Sequence, residues 1–364
     1  MTRASAYREA GVDLEAQDRA LVRIKDLARS TFGPEVLADV GLFGGLFRLP
    51  TEGMREPVLV ASADGVGTKL VVAKMAGDYS TVGVDLVNHC VNDILAQGAR
   101  PLFFLDYVGA GVLDPESTVS LVAGVRDGCR ENGCALLGGE LAEMPGFYQP
   151  GDFELVGFIV GLVDRPLILD GSRVRAGDIL VGLASSGLHT NGYSLARRVL
   201  FDRHRLALDD AVPGTDLRVG AALLEPHRSY LRPLRPLLAH PGLHALAHIT
   251  GGGITDNLPR VLPRDTHAGV DIGSWQVPQL FRALGELGEL APDEMHRVFN
   301  MGVGMVAVVD AAALDEVLGV LERGRCEAFV IGRVEPGGAG VVYDHGPVDR
   351  TRAAHPQTPH EPAG

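Results

Sequence analysis

Glycine falls in short clusters along this 364-residue chain, and most clusters stand directly behind a short apolar run. Val58 to Ala63 runs into Asp64-Gly65-Val66-Gly67, and Cys134 to Leu137 runs into Gly138-Gly139. Ala245 to Ile249 runs into Thr250 and then Gly251, Gly252 and Gly253. Short apolar runs broken by glycine read as strands that end in turns, or where backbone approaches something closely. The rest of the composition is ordinary. Hydrophobic residues make up 46% and charged residues 22%, which excludes a disordered or collagen-like chain. The formal net charge of −13 argues against a nucleic-acid partner or a membrane surface.

No apolar run is long enough to span a membrane, and Met1 to Glu15 lacks the apolar core of a secretory signal. Cys90, Cys129, Cys134 and Cys326 form no CxxC pair, so free buried thiols in a reducing cytoplasm are expected. Apolar periodicity predicts helices over Glu15 to Thr31, Thr68 to Met75, Asp85 to Gln97 and Glu116 to Glu131. Strands are predicted at Pro101 to Val108 and Phe153 to Val163 as well. The polar stretch Asp164 to Asp178 reads as a boundary. Beyond it strands are expected at Ile179 to Ala184, Ala245 to Ile249, Val303 to Val309 and Ala328 to Arg333, with helices among them. Strands and helices mix without a steady βαβ beat, so the fold class is α+β with two domains, residues 1–170 and 171–344. Residues 345–364 read as a disordered tail, with His345, His355 and His360 in solvent.

Several of the loops carry chemistry-bearing side chains. In Ser62 to Lys69 a strand delivers Asp64, Gly65 and Gly67 let backbone approach a ligand, and Thr68 and Lys69 open a helix. Asp64 can hold a divalent metal and Lys69 can neutralise a phosphate; the plain alternative is a strand–turn–helix. The string is not a Walker A loop, and no GxGxxG follows a strand. On the helix at Asp85, the side chains of Asp85, Asn88, His89, Asn92 and Asp93 share one arc. Short oxygen ligands without a cationic partner suit Mg²⁺; the alternative is an arc buried against loops. Glu140, with Glu143 behind it, repeats the pattern of a carboxylate after glycines. Asp64, Asp93 and Glu140 together suggest acids converging on cations, or else three unrelated turns. Ser186, His189 and Asn191 sit in a loop too dense in polar residues for a plain connector. Gly251 to Gly253 offer three backbone N–H groups as a phosphate nest.

The strings YREAGVD (Tyr7 to Asp13), DGVGTK, VNDI, PLFFLDY, GGELAEMPG (Gly138 to Gly146), SSGLHTNGYSL (Ser185 to Leu195), HITGGG and FNMGVGM occur in this order. Together they resemble the phosphoribosylformylglycinamidine cyclo-ligase family, from about Tyr7 to Val342. The chain departs from the family's usual pattern at Leu141, Leu188 and Thr190. The resemblance implies ATP-dependent closure of formylglycinamidine ribonucleotide to aminoimidazole ribonucleotide, with release of ADP and phosphate, in purine synthesis. It implies Mg²⁺ on Asp64, Asp93 and Glu140. It implies a nucleotide at Lys25, Gly65, Gly67, Thr68, Lys69 and Asn92, with His189, Lys69 and Asp64 at the chemistry. The ribonucleotide would meet Ser186, His189, Asn191 and Gly251 to Gly253. It also implies a homodimer whose first-domain sheets join into a barrel. Selenophosphate synthetases carry a reactive Cys or Sec near the N-terminus, and this chain has no cysteine before Cys90. The hydrogenase-maturation relatives end in cysteine, and this chain ends HEPAG.

Overall fold

The computed structural model describes residues 14–112 and 114–344. Tyr7 to Asp13 and the expected tail over residues 345–364 lie outside the described residues. The chain opens with α1 (Leu14–Arg29), followed by β1 (Pro57–Gly65), α2 (Lys69–Ala76), α3 (Ser80–Leu95) and β2 (Arg100–Ala110). Next come α4 (Pro115–Asn132), β3 (Ala135–Glu143) and β4 (Phe153–Asp164). Helix α4 shows why local sequence suffices at its ends. Asp114 accepts the Ser117 N–H at 2.9 Å, Pro115 takes the first helical position, and Gly133 closes the helix in the left-handed region.

These four strands form one sheet in the order β1-β4-β2-β3. β4 pairs antiparallel with β1 and β2, whereas β2 and β3 run parallel. One face buries Phe104, Leu155 and Ile159 in a core shared with Leu86, Ile94 and Val122 of α3 and α4. The other face carries Leu59 and Phe158, exposed by 55% and 47%, and Leu105 and Tyr107. Strand β1 alternates accordingly between half-buried and exposed positions.

The second half supplies β5 (Ile179–Ala184), β6 (Leu243–His248), β7 (Thr266–Asp271), β8 (Val303–Val309), β9 (Ala328–Pro336) and β10 (Val341–Asp344). Their sheet has the order β10-β7-β9-β5-β8-β6. Helices α5 (Gln279–Gly288) and α6 (Leu314–Arg323) complete its larger elements. Every residue of β8 is buried. Met305 and Ala307 join the core that continues into the first half, while Val306 and Val308 join a second core with Phe281 of α5. A strand packed on both sides reads as a continuous apolar run, which is what Val303 to Val309 is. The expected α+β class with two sheets is what forms. The sequence reading lacked β7 and β10, and it ended β3 at Leu137; Gly138 to Glu143 continue that strand.

Candidate active site

Helix α3 is the spine of the site. Its polar arc is buried: Asp85, Asn88, His89 and Asn92 are no more than 4% exposed. The opposing surface is the segment Glu225 to Tyr230, which the second half sends back across the helix. Asp85 accepts the His227 N–H at 2.6 Å. Asn88 donates to the His227 carbonyl at 2.8 Å. Asn92 accepts the Tyr230 N–H at 3.0 Å and donates to the Arg228 carbonyl at 2.8 Å and to His227 Nε2 at 3.1 Å. Buried polar groups need such partners, and here they also lock the two halves together. Asn92 is therefore spent on this lock and is not presented to a nucleotide.

Lys69 needs the same correction. Its side chain is fully buried, 2.7 Å from Asp85 Oδ2, and it donates to the Glu225 carbonyl at 2.7 Å. Burial pulls the ammonium down and pushes the Asp85 carboxyl up, while their mutual attraction opposes both shifts. The ammonium ties α2 to the second half instead of facing a phosphate.

One edge of α3 reaches a cavity of about 580 Å³ between the halves, lined by Ser62, Asp64, His89, Asp93, His248, Thr250 and Arg260. Its size suits a nucleotide-sized ligand. Asp64, near the end of β1, stands 2.9 Å from His89 Nε2 and accepts the Gly65 N–H at 2.6 Å. Asp93 contacts His248 Nδ1 at 2.8 Å and accepts the Ser62 hydroxyl at 2.9 Å. Burial pushes both carboxyls up. The facing imidazoles and the donated hydrogen bonds outweigh it, so both sit below the usual carboxylate range and stay ionised. Burial pulls His89 down, but Asp64, Asp93 and Asp85 raise it on balance. For His248 burial prevails and the imidazole lies below its ordinary value.

Asp64 and Asp93 thus converge, and Glu140 does not join them. It pairs with Tyr107 on β2, whereas Asp64 lies in the row Gly157, Asp106, Gly139. That row is three strand spacings wide, about 14 Å. Alternation along β3 turns Glu140 to the uncovered face, away from Leu141, which packs on the inner side. The strand around Glu140 borders a separate cavity of about 160 Å³, with Lys25 and Asp106, beneath α1.

His189 is also placed elsewhere. It is 1% exposed, has a left-handed backbone at φ 59°, and stacks on His227 with ring centroids 4.0 Å apart. Its Nε2 accepts the Ser186 N–H at 3.2 Å. Burial pulls this imidazole well down, so it is neutral. A Cβ at Gly304 would stand 2.4 Å from the ring and 2.1 Å from the Tyr230 hydroxyl, which accounts for glycine there. Ser186 gives its hydroxyl to the Pro226 carbonyl and lines a different cavity, beside Glu225. Thr68 precedes α2 without capping it and meets the Ser194 hydroxyl at 3.2 Å.

The glycine nest is smaller than three amides. The Gly253 N–H is taken by the Thr250 carbonyl at 3.0 Å, and a Cβ on Gly253 would lie 2.0 Å from the His296 carbonyl. Gly253 is thus glycine for packing, which leaves at most the Gly251 and Gly252 N–H groups for a nest. Asn191 lies against Gly251, and its Nδ2 is buried without a hydrogen-bond partner. Sequence reasoning gave no role to His227, His248 or Arg260. His248 had a signal, since it ends the strand before the glycines. His227 had none, because its segment lacks any period and its contacts on α3 lie 135 or more positions away.

Residues 49–163 match the AIR synthase related protein N-terminal domain, and residues 175–345 match the corresponding C-terminal domain. The phosphoribosylformylglycinamidine cyclo-ligase of Trichlorobacter lovleyi is 50% identical over 331 residues, covering 91% of this chain and 95% of the relative. The fold is similar to thiamine-monophosphate kinase from Stenotrophomonas maltophilia, with TM-score 0.68, 21% identity, and 90% and 96% of the two chains covered. It is also similar to the hydrogenase maturation protein HypE in complex with ATP, with TM-score 0.61, 19% identity, and 87% and 88% covered. Identity of one half across nine-tenths of the length, on this two-sheet fold, places the chain in the phosphoribosylformylglycinamidine cyclo-ligase family.

Proposed function

We propose that this chain closes the imidazole ring of formylglycinamidine ribonucleotide at the expense of ATP, releasing aminoimidazole ribonucleotide, ADP and phosphate. The observation that carries the reading is the cavity between the halves, where two ionised carboxylates share the lining with Arg260 and with Thr250, the residue that leads into the glycine loop. A formamide oxygen leaves poorly; phosphorylated, it leaves as phosphate when the amidine nitrogen attacks the same carbon. Phosphoryl transfer needs chiefly positioning and charge neutralisation.

Asp64 and Asp93 suit Mg²⁺, which takes one or two carboxylates and fills its shell with phosphate and water oxygens. When bound, the ion neutralises charge on the transferred phosphoryl group. The chain's own residues do the rest. Gly251, Gly252 and Arg260 receive the ribonucleotide phosphate, and Asn191 donates its unpartnered amide to the substrate beside them. Gly65, Gly67 and Thr68 contact the nucleotide, whereas Lys25 sits by Glu140 in the cavity beneath α1. Glu140 belongs to the uncovered face of the first sheet, and Leu59 and Phe158 on that face support a homodimer formed through it. Leu59, Leu105 and Phe158 make an apolar patch on that face that a copy of the same face can cover. No described helix is long and apolar enough to cross a membrane.

The direct test supplies the protein with ATP, Mg²⁺ and formylglycinamidine ribonucleotide. Formation of the aminoimidazole product together with ADP is expected. ATP consumption without that product, or neither, overturns the reading.

A further inference from the structure

Phosphoryl chemistry on Mg²⁺ asks for oxygen donors, yet this cavity is rich in nitrogen. His89, Asp93 and His248 each present one donor atom, and the three atoms lie within 4.8 Å of one another. Mg²⁺ gains little from imidazole, whereas Zn²⁺ and its d-block neighbours favour it. Both histidines are buried, and the cavity beside them leaves room for a water or a ligand.

The surroundings of the two rings are those of metal ligands. A ligating imidazole turns one nitrogen to the ion and has the other held by a hydrogen bond. His89 turns Nε2 toward the carboxylates, and its Nδ1 lies 2.6 Å from Thr190 Oγ1. His248 turns Nδ1 toward Asp93, and its Nε2 lies 3.2 Å from His227 Nε2. The tautomer of His227 follows from Asn92. That amide is oriented by the Tyr230 N–H and the Arg228 carbonyl, so its Nδ2 donates to His227 Nε2. His227 Nε2 therefore carries no proton and shares its one lone pair between the Asn92 amide and the His248 ring, while the Thr190 hydroxyl oxygen has a lone pair for His89. Each outer partner can take an N–H from its ring, which frees His89 Nε2 and His248 Nδ1 as lone pairs.

We propose that His89, Asp93 and His248 form a binding site for a d-block divalent cation of the Zn²⁺ type, with a water from the adjoining cavity as a fourth donor. On binding, His89 Nε2, His248 Nδ1 and an Asp93 oxygen turn to the ion, and each neutral ring carries its proton on the outer nitrogen. The site does not depend on the cyclo-ligase reading. It shares Asp93 with the Mg²⁺ assigned there, so the two ions compete.

The test uses the full chain, stripped of metal, with Co²⁺ as the probe and without nucleotide. One Co²⁺ per chain is expected, with the intense visible bands of a four-coordinate nitrogen and oxygen site, displaced by Zn²⁺ and resistant to millimolar Mg²⁺. His248→Ala removes the bands, and His227→Leu weakens binding by about 10–100-fold by loosening the outer contact. A weak six-coordinate spectrum in the unaltered protein overturns the proposal without any variant. So does stoichiometric binding that survives His248→Ala, since 12 histidines in the chain offer other places. If His248→Ala fails to fold by circular dichroism, the unaltered spectrum and His227→Leu decide. Turnover is not the readout, so a failed cyclisation assay and a failed Co²⁺ titration are separate results.

Discussion

The two sheets of this molecule are buried in different ways. The first is covered by α3 and α4 on one face and carries Leu59 and Phe158 into the open on the other. The second is packed on both faces, with Met305 and Ala307 to one side and Val306 and Val308 to the other. The one-sided sheet puts Asp64 where its inner face meets the second half. The two-sided sheet supplies the rigid wall against which His248 and the glycine loop are set. The open face is the one through which the proposed homodimer would form.

The largest expected effect tests what the inner edge of the first sheet is for. Asp64→Asn keeps the shape of the side chain and removes the charge that faces the cavity. Turnover of ATP falls by about a thousand-fold, with the thermal midpoint nearly unchanged, as for loss of a group that stabilises developing charge. Near-normal turnover in that variant takes Asp64 out of the site.

The contrast in burial has its own test. Leu183 in β5 is fully buried, and Leu183→Ala is expected to cost about 2–5 kcal/mol in urea unfolding. Leu59→Ala, on the open face, is expected to change the stability of a monomer by less than about 0.5 kcal/mol. Phe158→Glu then separates the partners in sedimentation if that face holds a homodimer. Equal costs for Leu183→Ala and Leu59→Ala in protein that sediments as a monomer would mean that the open face is covered within the chain.

The same contrast explains what the sequence showed. Strand β8 is continuous apolar residues because both its faces are buried, and β1 alternates because only one is. Strand β7 reads Thr-His-Ala-Gly-Val-Asp, and β10 has four residues at the sheet edge; neither carries enough pattern to be found alone. At the site, Asp64 and Asp93 were legible because each ends or lines a periodic element. His227 was not, because its role comes from contacts across the seam. Lys69 misled for the same reason: its neighbours in sequence suggest a phosphate, and its neighbour in space is Asp85.

A smaller effect sharpens the comparison within the first sheet. Asp106 faces inward on β2, and burial pushes its carboxyl to about 7. The unfolded chain ionises it near 3.8. The fold therefore holds a proton that the unfolded chain has lost, so this contribution to stability is full below about pH 3.8 and lost as pH rises through about 7. The total is on the order of a few kcal/mol. Asp106→Asn removes this slope. Unfolding free energies at about pH 4 and about pH 8 are expected to show the variant gaining on the parent only at the higher pH. Equal differences at both would mean that the carboxylate is ionised in the fold.

The smallest effect concerns the far edge of the second sheet. Strand β10 ends at Asp344, whose carbonyl accepts the Ile272 N–H at 3.2 Å and whose register partner is Asp271. Removing residues 345–364 keeps every rung of that ladder, so stability is expected to move by less than about 0.5 kcal/mol and turnover not at all. Removing four residues more, from Val341, strips β10 from β7 and exposes a new edge beside Ala268 and Val270. A truncation at Asp344 as costly as the one at Val341 would show that the last twenty residues belong to the working molecule. If only the longer truncation costs stability, the two-sided sheet is complete at β10.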